Sequence, residues 1–143
     1  MDFRLDAADA VLLRDELYVI RAERRVVWCE VLTPPQVAPA QGAAAARALS
    51  DYLLSNVIAR RSSWLGVILD VRKGPTVVGP VTLGLLEKMF ACAEQVRKPL
   101  AALIGTARAQ GDQFRGIQQG HAPRFGMVTD RVEMATDWMT TAG

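Results

Sequence analysis

The chain has 143 residues, of which 50% are apolar and 22% are charged, and its formal net charge is +2. This length favours one domain with its own core, and this balance excludes a mostly disordered chain. So small a net charge gives little support to nucleic acid as the main partner, because phosphate-binding domains concentrate basic residues. The chain has two cysteines that form no C-x-x-C pair, no apolar run of membrane-spanning length and no signal-like start. These features predict a cytoplasmic protein without membrane insertion.

The first half of the chain predicts a strand hairpin and then a helix. ELYVIRAE (16–23) and RVVWCEVL (25–32) are closely spaced and rich in β-branched and aromatic residues, which is typical of two antiparallel strands. TPPQ (33–36) ends the second strand, because proline cannot donate to a strand ladder. The alanine-rich stretch 37–61 that follows has high helix propensity and predicts a helix.

The second half alternates strands and helices. In chain order the sequence predicts a buried strand over 64–71, a helix over 79–97, a strand over 99–107, a short helix over 110–119, a strand over 124–130 and a closing helix capped by Asp130 and Glu133. The order ββαβαβαβα indicates an α/β fold with a mixed, mostly parallel sheet of about five strands and an initial antiparallel hairpin. Residues 1–13 are compatible with a flexible lead-in, and 14–141 form a single predicted domain.

Three segments carry a family resemblance. They are GVILDVRKGP (66–75), KPLAALIG (98–105) and FGMVTDRVEMATDWM (125–139). Together with the hairpin, they resemble the third strand, the next strand, and the closing strand and helix of the STAS domain, the sulphate transporter and anti-sigma factor antagonist family. The closest likeness is to its diverged, anti-sigma factor antagonist-like branch. This resemblance covers roughly residues 14–141 and implies a STAS-like fold and a non-enzymatic bacterial signalling regulator that binds another protein.

The family's phosphorylation switch is absent from the matching position. In the members that regulate sigma factors, a serine in a pattern close to Asp-Ser-Ser-Gly-Leu stands at the start of the second helix, where a partner kinase phosphorylates it. Aligned on Leu69 and Asp70, that serine falls at residues 78–80, and no serine follows Ser63. The switch therefore does not transfer to this chain. The nearby hydroxyls of Thr76 and Thr82 remain as candidate phosphorylation sites, since a helix amino terminus favours phosphate.

The loop between the strand over 64–71 and the following helix is the predicted partner surface. PTVVGPV (75–81) carries no charge, although loops normally face water. An exposed apolar patch is typical of a binding surface or a dimer contact. The predicted partner-binding residues are Arg72, Lys73, Thr76, Val77, Val78 and Thr82. The expected partner is another protein, such as a kinase-like or other signalling protein, and self-association as a homodimer is left open.

An alternative interpretation uses the basic residues of the same sheet edge. Arg72, Lys73 and Arg108 follow strands that are predicted to be parallel, so they emerge at one edge, where ligands of open α/β sheets bind. On this alternative the protein binds a small anion or a nucleotide there, as a binding protein or an enzyme. Solubilising surface charges explain the same residues without a ligand.

The sequence offers no catalytic or metal-binding constellation. It contains no G-x-G-x-x-G, no P-loop and no H-E-x-x-H motif, so no cofactor and no metal are expected. Cys29 lies in an apolar strand and is predicted to be inert core, while the single histidine, His121, lies in a glycine–proline loop. Asp70 ends a buried strand, and we expect its carboxylate to accept hydrogen bonds from the loop that follows.

Overall fold

The computed structural model describes residues 10–32 and 38–142. Six strands and four helices account for most of this part of the chain. The strands are β1 (Ala10–Arg14), β2 (Tyr18–Glu23), β3 (Val26–Val31), β4 (Gly66–Asp70), β5 (Leu100–Leu103) and β6 (Gly126–Thr129). The helices are α1 (Pro39–Asn56), α2 (Pro80–Val96), α3 (Arg108–His121) and α4 (Val132–Ala142). None of these helices is long and apolar enough to cross a membrane.

The strands form one sheet in the order β1-β2-β3-β4-β5-β6. β1, β2 and β3 pair antiparallel, and β3 to β6 pair parallel. The register places Ile20 opposite Cys29, Cys29 opposite Leu69, and Leu69 opposite Ala102. The predicted α/β class is therefore confirmed, with an antiparallel hairpin leading into a parallel sheet.

The sheet has one strand more than the sequence predicted. The sequence predicts a flexible lead-in over residues 1–13, but residues 10–13 belong to β1, and residues 1–9 lie outside the described part of the chain. β1 pairs with β2 from Ala10 to Arg14 with an irregularity between Val11 and Leu13. As an edge strand interrupted in this way, it lacks the regular alternation of apolar and polar residues that signals a strand.

Helices cover the two faces of the sheet unequally. α1, α2 and α3 pack on one face, where the main core is built around Leu53, Phe90 and Phe114. α4 packs on the other face, where Ala135 and Met139 contact a smaller core. Strand residues alternate between the two cores because successive side chains of a strand point to opposite faces.

The first helix is shorter than predicted. The expected helix ran from 37 to 61, but α1 ends at Asn56, because the N–H groups of both Val57 and Ile58 donate to the carbonyl of Leu53, at 2.9 and 2.7 Å. This widened turn stops the helix and buries both side chains. The chain then turns through Ser62, whose hydroxyl donates to the Val57 carbonyl at 2.7 Å.

A buried lysine ties this turn to the start of β5. Lys98 Nζ donates to the carbonyl and the hydroxyl of Ser62, at 3.1 and 3.0 Å, and to the carbonyl of Trp64 at 2.9 Å. Burial lowers the pKa of Lys98, and the nearby charge of Arg25 lowers it further. The ammonium is satisfied by oxygen dipoles alone, which makes it a structural cross-link between the α1–β4 connection and β5.

The start of α4 also differs in detail from the expectation. The predicted reciprocal cap by Asp130 and Glu133 does not form, because the hydroxyl of Thr129 accepts the Arg131 N–H at 3.1 Å. Asp130 is exposed, and Glu133 instead accepts a hydrogen bond from the Arg131 side chain at 3.3 Å. Thr129, the last residue of β6, therefore turns the chain into the helix.

Candidate functional site

The carboxyl edge of the parallel strands collects the residues that the sequence singled out. β3, β4 and β5 run parallel, so the loops after them open at one edge, and the amino ends of the helices that follow lie there too. The β4–α2 loop, residues 71–79, crosses this edge. It carries Arg72, Lys73, Thr76, Val77 and Val78, and Thr82 lies in the first turn of α2. The predicted partner-binding residues are thus neighbours along one continuous surface segment.

Asp70 anchors the beginning of the loop. Its buried carboxylate accepts the backbone N–H of Arg72 at 3.1 Å, as the sequence predicted, and the Nε and Nη2 of the same residue at 3.0 and 2.8 Å. Burial by itself would raise the pKa of Asp70. The hydrogen bonds from Arg72 and the charges of Arg72 and Lys73 together outweigh that effect and lower the pKa. The guanidinium of Arg72 therefore mainly neutralises the charge of the buried Asp70 carboxylate.

The other two basic residues of this edge also face carboxylates. Lys73 Nζ lies 3.4 Å from Glu30 Oε2, and Arg108 Nε lies 3.9 Å from Asp112 Oδ2. Arg108 is 95% exposed, so its pairing is weak. The three bases expected to form an anion site do share one edge, but each has an acidic neighbour that offsets its charge.

Two glutamines of α3 hold the loop, and the sequence reasoning missed both. Gln110 is 3% exposed. Its Oε1 accepts the N–H of Gly105 at 2.8 Å, and its Nε2 donates to the carbonyls of Val71 and Pro75 at 2.7 and 3.2 Å. One side chain thus joins the loop after β4 to the loop after β5. A buried amide that satisfies three backbone groups fixes their relative positions.

Gln113, one helical turn after Gln110, forms hydrogen bonds with the other end of the loop. Its Oε1 accepts the N–H of Val78 at 2.9 Å, and its Nε2 donates to the carbonyl of Val78 at 3.3 Å. The side-chain amide of Gln113 thus pairs with both the N–H and the carbonyl of one residue, as a neighbouring strand does in a β-sheet. The loop is therefore attached to α3 by hydrogen bonds at Val71, Pro75 and Val78.

The pinned loop presents apolar side chains to the outside. Val77 is 56% exposed and Val81 is 42% exposed, whereas Val78 is half-buried and packs against the main core. Of the two valines expected in the exposed patch, Val77 is exposed, whereas the expectation for Val78 is wrong because its side chain packs against the core; Val81 is the second exposed valine. Of the two candidate phosphorylation sites, Thr76 is exposed and Thr82 is half-buried.

An apolar groove of about 560 Å³ opens beside the loop. Its walls are the amino-terminal halves of α1 and α2, its floor is formed by β2, β3 and β4, and the loop forms its rim. Small residues of α1, among them Gly42, Ala43 and Ala46, leave the space, while Leu49 and Met89 close the inner end. The run GAAAA (42–46) is the sequence signal that could have revealed it, because a wall of small residues leaves room between two helices.

Cys29 and His121 belong to separate environments. Cys29 is fully buried in the sheet, and burial raises the pKa of its thiol. His121 Nε2 lies 3.5 Å from Glu87 Oε2 on the neighbouring helix. The thiol is held in its neutral form, which is a poor nucleophile. Among residues 10–32 and 38–142, no group of three or more histidines, cysteines, aspartates and glutamates is placed to hold a metal ion.

One solved structure gives a comparison for the fold. The NMR structure of the protein TM1081 is similar to this chain over 94% of this chain and 97% of that one, with a TM-score of 0.57 and 7% sequence identity. At this identity the similarity shows the shared α/β fold alone. No protein-family model matches the chain, and no curated protein matches its sequence.

Proposed function

We propose that this protein is a non-enzymatic protein–protein interaction module with a STAS-like fold, acting as a cytoplasmic bacterial regulator. Its partner surface is the β4–α2 loop together with the first turn of α2. The partner is another protein, such as a kinase-like or other signalling protein, or a second copy of the chain. The observation that carries this proposal is a rigidly held loop with exposed apolar side chains.

Rigidity and apolar exposure support the proposal together. Val77 and Val81 expose 56% and 42% of their surface. An apolar side chain that stays in water adds no hydrophobic free energy to the stability of the fold. Gln110 and Gln113 fix the backbone beneath them. A preorganised surface loses less conformational entropy when a partner binds, so an apolar patch on a pinned loop binds more tightly than the same patch on a mobile one.

Control of the interaction does not use the family's serine in this proposal, because residues 78–80 are Val-Gly-Pro. The interaction is constitutive or is controlled elsewhere. Phosphorylation of Thr76 or Thr82 stays a prediction, and a phosphoprotein analysis of cells tests it directly. The exposed Thr76 is the better kinase substrate of the two, because a kinase must reach the hydroxyl.

The alternative function, anion or nucleotide binding at the basic edge, has less support. Arg72 compensates Asp70 through a two-pronged contact, and Lys73 faces Glu30 at 3.4 Å. An added anion would have to compete with these carboxylates. Thermal-shift screening with nucleotides and phosphate tests the alternative, since a ligand at 100 times its dissociation constant stabilises a protein by about 2.7 kcal/mol.

Affinity capture with matched variants tests the proposed interaction. Val77 and Val11 are both 56% exposed, but Val77 lies on the loop and Val11 lies on the edge strand β1. We expect Val77→Asp to lose the partners that the wild type retains from cells, because a carboxylate in an apolar interface would be desolvated. Val11→Asp should retain them. Equal capture by both variants would contradict the proposal, as would a wild type that retains neither a specific partner nor a copy of itself.

A further inference from the structure

We infer that the groove between α1 and α2 binds an unbranched aliphatic carboxylate, such as a medium-chain fatty acid, with the chain inside the groove and the carboxylate at its mouth. This site shares rim residues such as Lys73, Val77 and Thr82 with the proposed partner surface, but its ligand is a small molecule and its chain lies inside the groove. The two can fail separately, because one is tested with a purified ligand and the other by capture of proteins.

The dimensions of the groove suit an alkyl chain. One wall runs along α1 from Pro39 to Leu49, and the other runs from Gly79, the residue before α2, to Met89. At 1.5 Å per residue each wall is about 15 Å long, which matches an extended chain of roughly a dozen carbons. The volume of about 560 Å³ lies within the range of small-molecule sites. Because α1 and α2 are both packed on the sheet, the groove has a floor and two sides.

The lining is mainly aliphatic, with the aromatic side chains of Tyr18 and Phe114 among it. α1 contributes small side chains such as Ala43 and Ala46, the floor contributes Val31 and Leu69, and Leu85 faces them from α2. A surface of this kind offers almost no hydrogen-bonding partners to a polar ligand, so the part of the ligand inside must be apolar. Straight methylene chains gain from such burial in proportion to their length.

The mouth of the groove offers one ammonium group to the carboxylate of the ligand. Lys73 is the charged residue that lines the groove within the described part of the chain. Its ammonium has three N–H donors and lies 3.4 Å from Glu30 Oε2, so a ligand carboxylate would share this ammonium with Glu30 and gain only a small part of its binding free energy there. The first turn of α2, with Val81 and Thr82, lies on the same rim, and no side chain caps that helix end. Its unpaired N–H groups add to the preference for an anion.

Titration calorimetry with octanoate, decanoate and dodecanoate, each kept below its micelle concentration, tests this site. We expect saturable one-to-one binding that tightens about fourfold for each additional buried CH₂. Dodecan-1-ol has the same chain without the charge and should bind more weakly than dodecanoate. The absence of saturable binding for all three carboxylates would overturn the inference, and an alcohol that binds as tightly as dodecanoate would overturn the assignment of a carboxylate.

Matched variants locate the binding. Ala46→Phe fills the groove and should weaken dodecanoate binding by roughly tenfold or more. The control is Ala91→Phe, on the exposed side of α2, which should leave dodecanoate binding unchanged. If Ala46→Phe does not fold, Ala43→Leu narrows the same wall with a smaller side chain. Binding that is unaffected by a folded groove variant would overturn the inference.

A charge variant tests the mouth. Lys73→Met keeps the length of the stem and removes the ammonium, so dodecanoate binding should weaken roughly two- to fivefold, while binding of dodecan-1-ol should not change. Lys88→Met, an exposed lysine on α2 outside the groove, is the control. An equal effect of Lys73→Met and Lys88→Met on dodecanoate would show that Lys73 does not hold the carboxylate.

Discussion

Replacing Gln110 with leucine removes the hydrogen bonds that join two loops at the carboxyl edge while nearly preserving side-chain volume. The N–H of Gly105 loses its acceptor at 2.8 Å, and the carbonyl of Pro75 loses its donor at 3.2 Å. The carbonyl of Val71 keeps one donor, the N–H of Gly74 at 2.9 Å. Both hydrogen bonds are partly buried, and a fully buried group left unpaired costs about 1–3 kcal/mol. Because these two groups are partly reached by water, we expect Gln110→Leu to lower the free energy of unfolding by about 1–3 kcal/mol.

Urea unfolding followed by circular dichroism measures this loss. Gln119→Leu is the control, because Gln119 lies on the exposed side of the same helix, and its free energy of unfolding should stay within about 0.5 kcal/mol of the wild type. The reasoning assumes that the amide of Gln110 has no substitute in the folded protein. A Gln110→Leu variant as stable as Gln119→Leu would refute it, because water would then be satisfying the loop backbone.

Three further predictions concern the loop and the buried charges. Gln113→Ala should make the amide of Val78 exchange with deuterium roughly five- to tenfold faster, since Gln113 supplies its acceptor; an unchanged rate would show that the loop is not held there. Lys98→Met should lower stability at pH 7 by about 1–2 kcal/mol. Because the pKa of Lys98 is lowered, the unfolded chain binds more protons, so wild-type stability should rise with pH toward 10.5, and the variant should lack this contribution; parallel pH profiles would contradict it. The pKa of Asp70 is also lowered, so its stabilisation is complete above pH 3.8 and is lost as the pH falls through its folded pKa. Asp70→Asn should lower the free energy of unfolding by about 1 kcal/mol at pH 7, a modest value because Arg72 is 45% exposed. The variant should also lose less stability than the wild type as the pH falls below 3.8, and an equally steep loss would refute the assignment.

Local sequence patterns predicted most of the fold. The buried run over 64–71 contains β4, and the helix predicted over 79–97 differs from α2 by one residue at each end. These segments are long or strongly apolar, so their burial follows from the residues themselves. β1 was missed because an edge strand is defined by its pairing with β2, which local periodicity does not record.

The candidate site was predicted less completely. The loop over 72–82 was found because an uncharged apolar segment between a strand and a helix is unusual. Its attachment was not found, because Gln113 and Val78 lie 35 residues apart and their hydrogen bonds depend on how α3 packs. The ion pair between Lys73 and Glu30 depends likewise on the parallel pairing of β3 with β4. Long-range side-chain contacts of this kind leave no local signature in a sequence.

The surface used by a captured partner can be measured by hydrogen–deuterium exchange, comparing the protein alone with the purified complex. Protection should appear in residues 72–82, around Val77, and should be absent from the edge strand that carries Val11. This footprint tests the central claim more directly than affinity does, because it reports which residues the partner covers. Protection confined to β1 or to the α4 face, with residues 72–82 unchanged, would contradict the account.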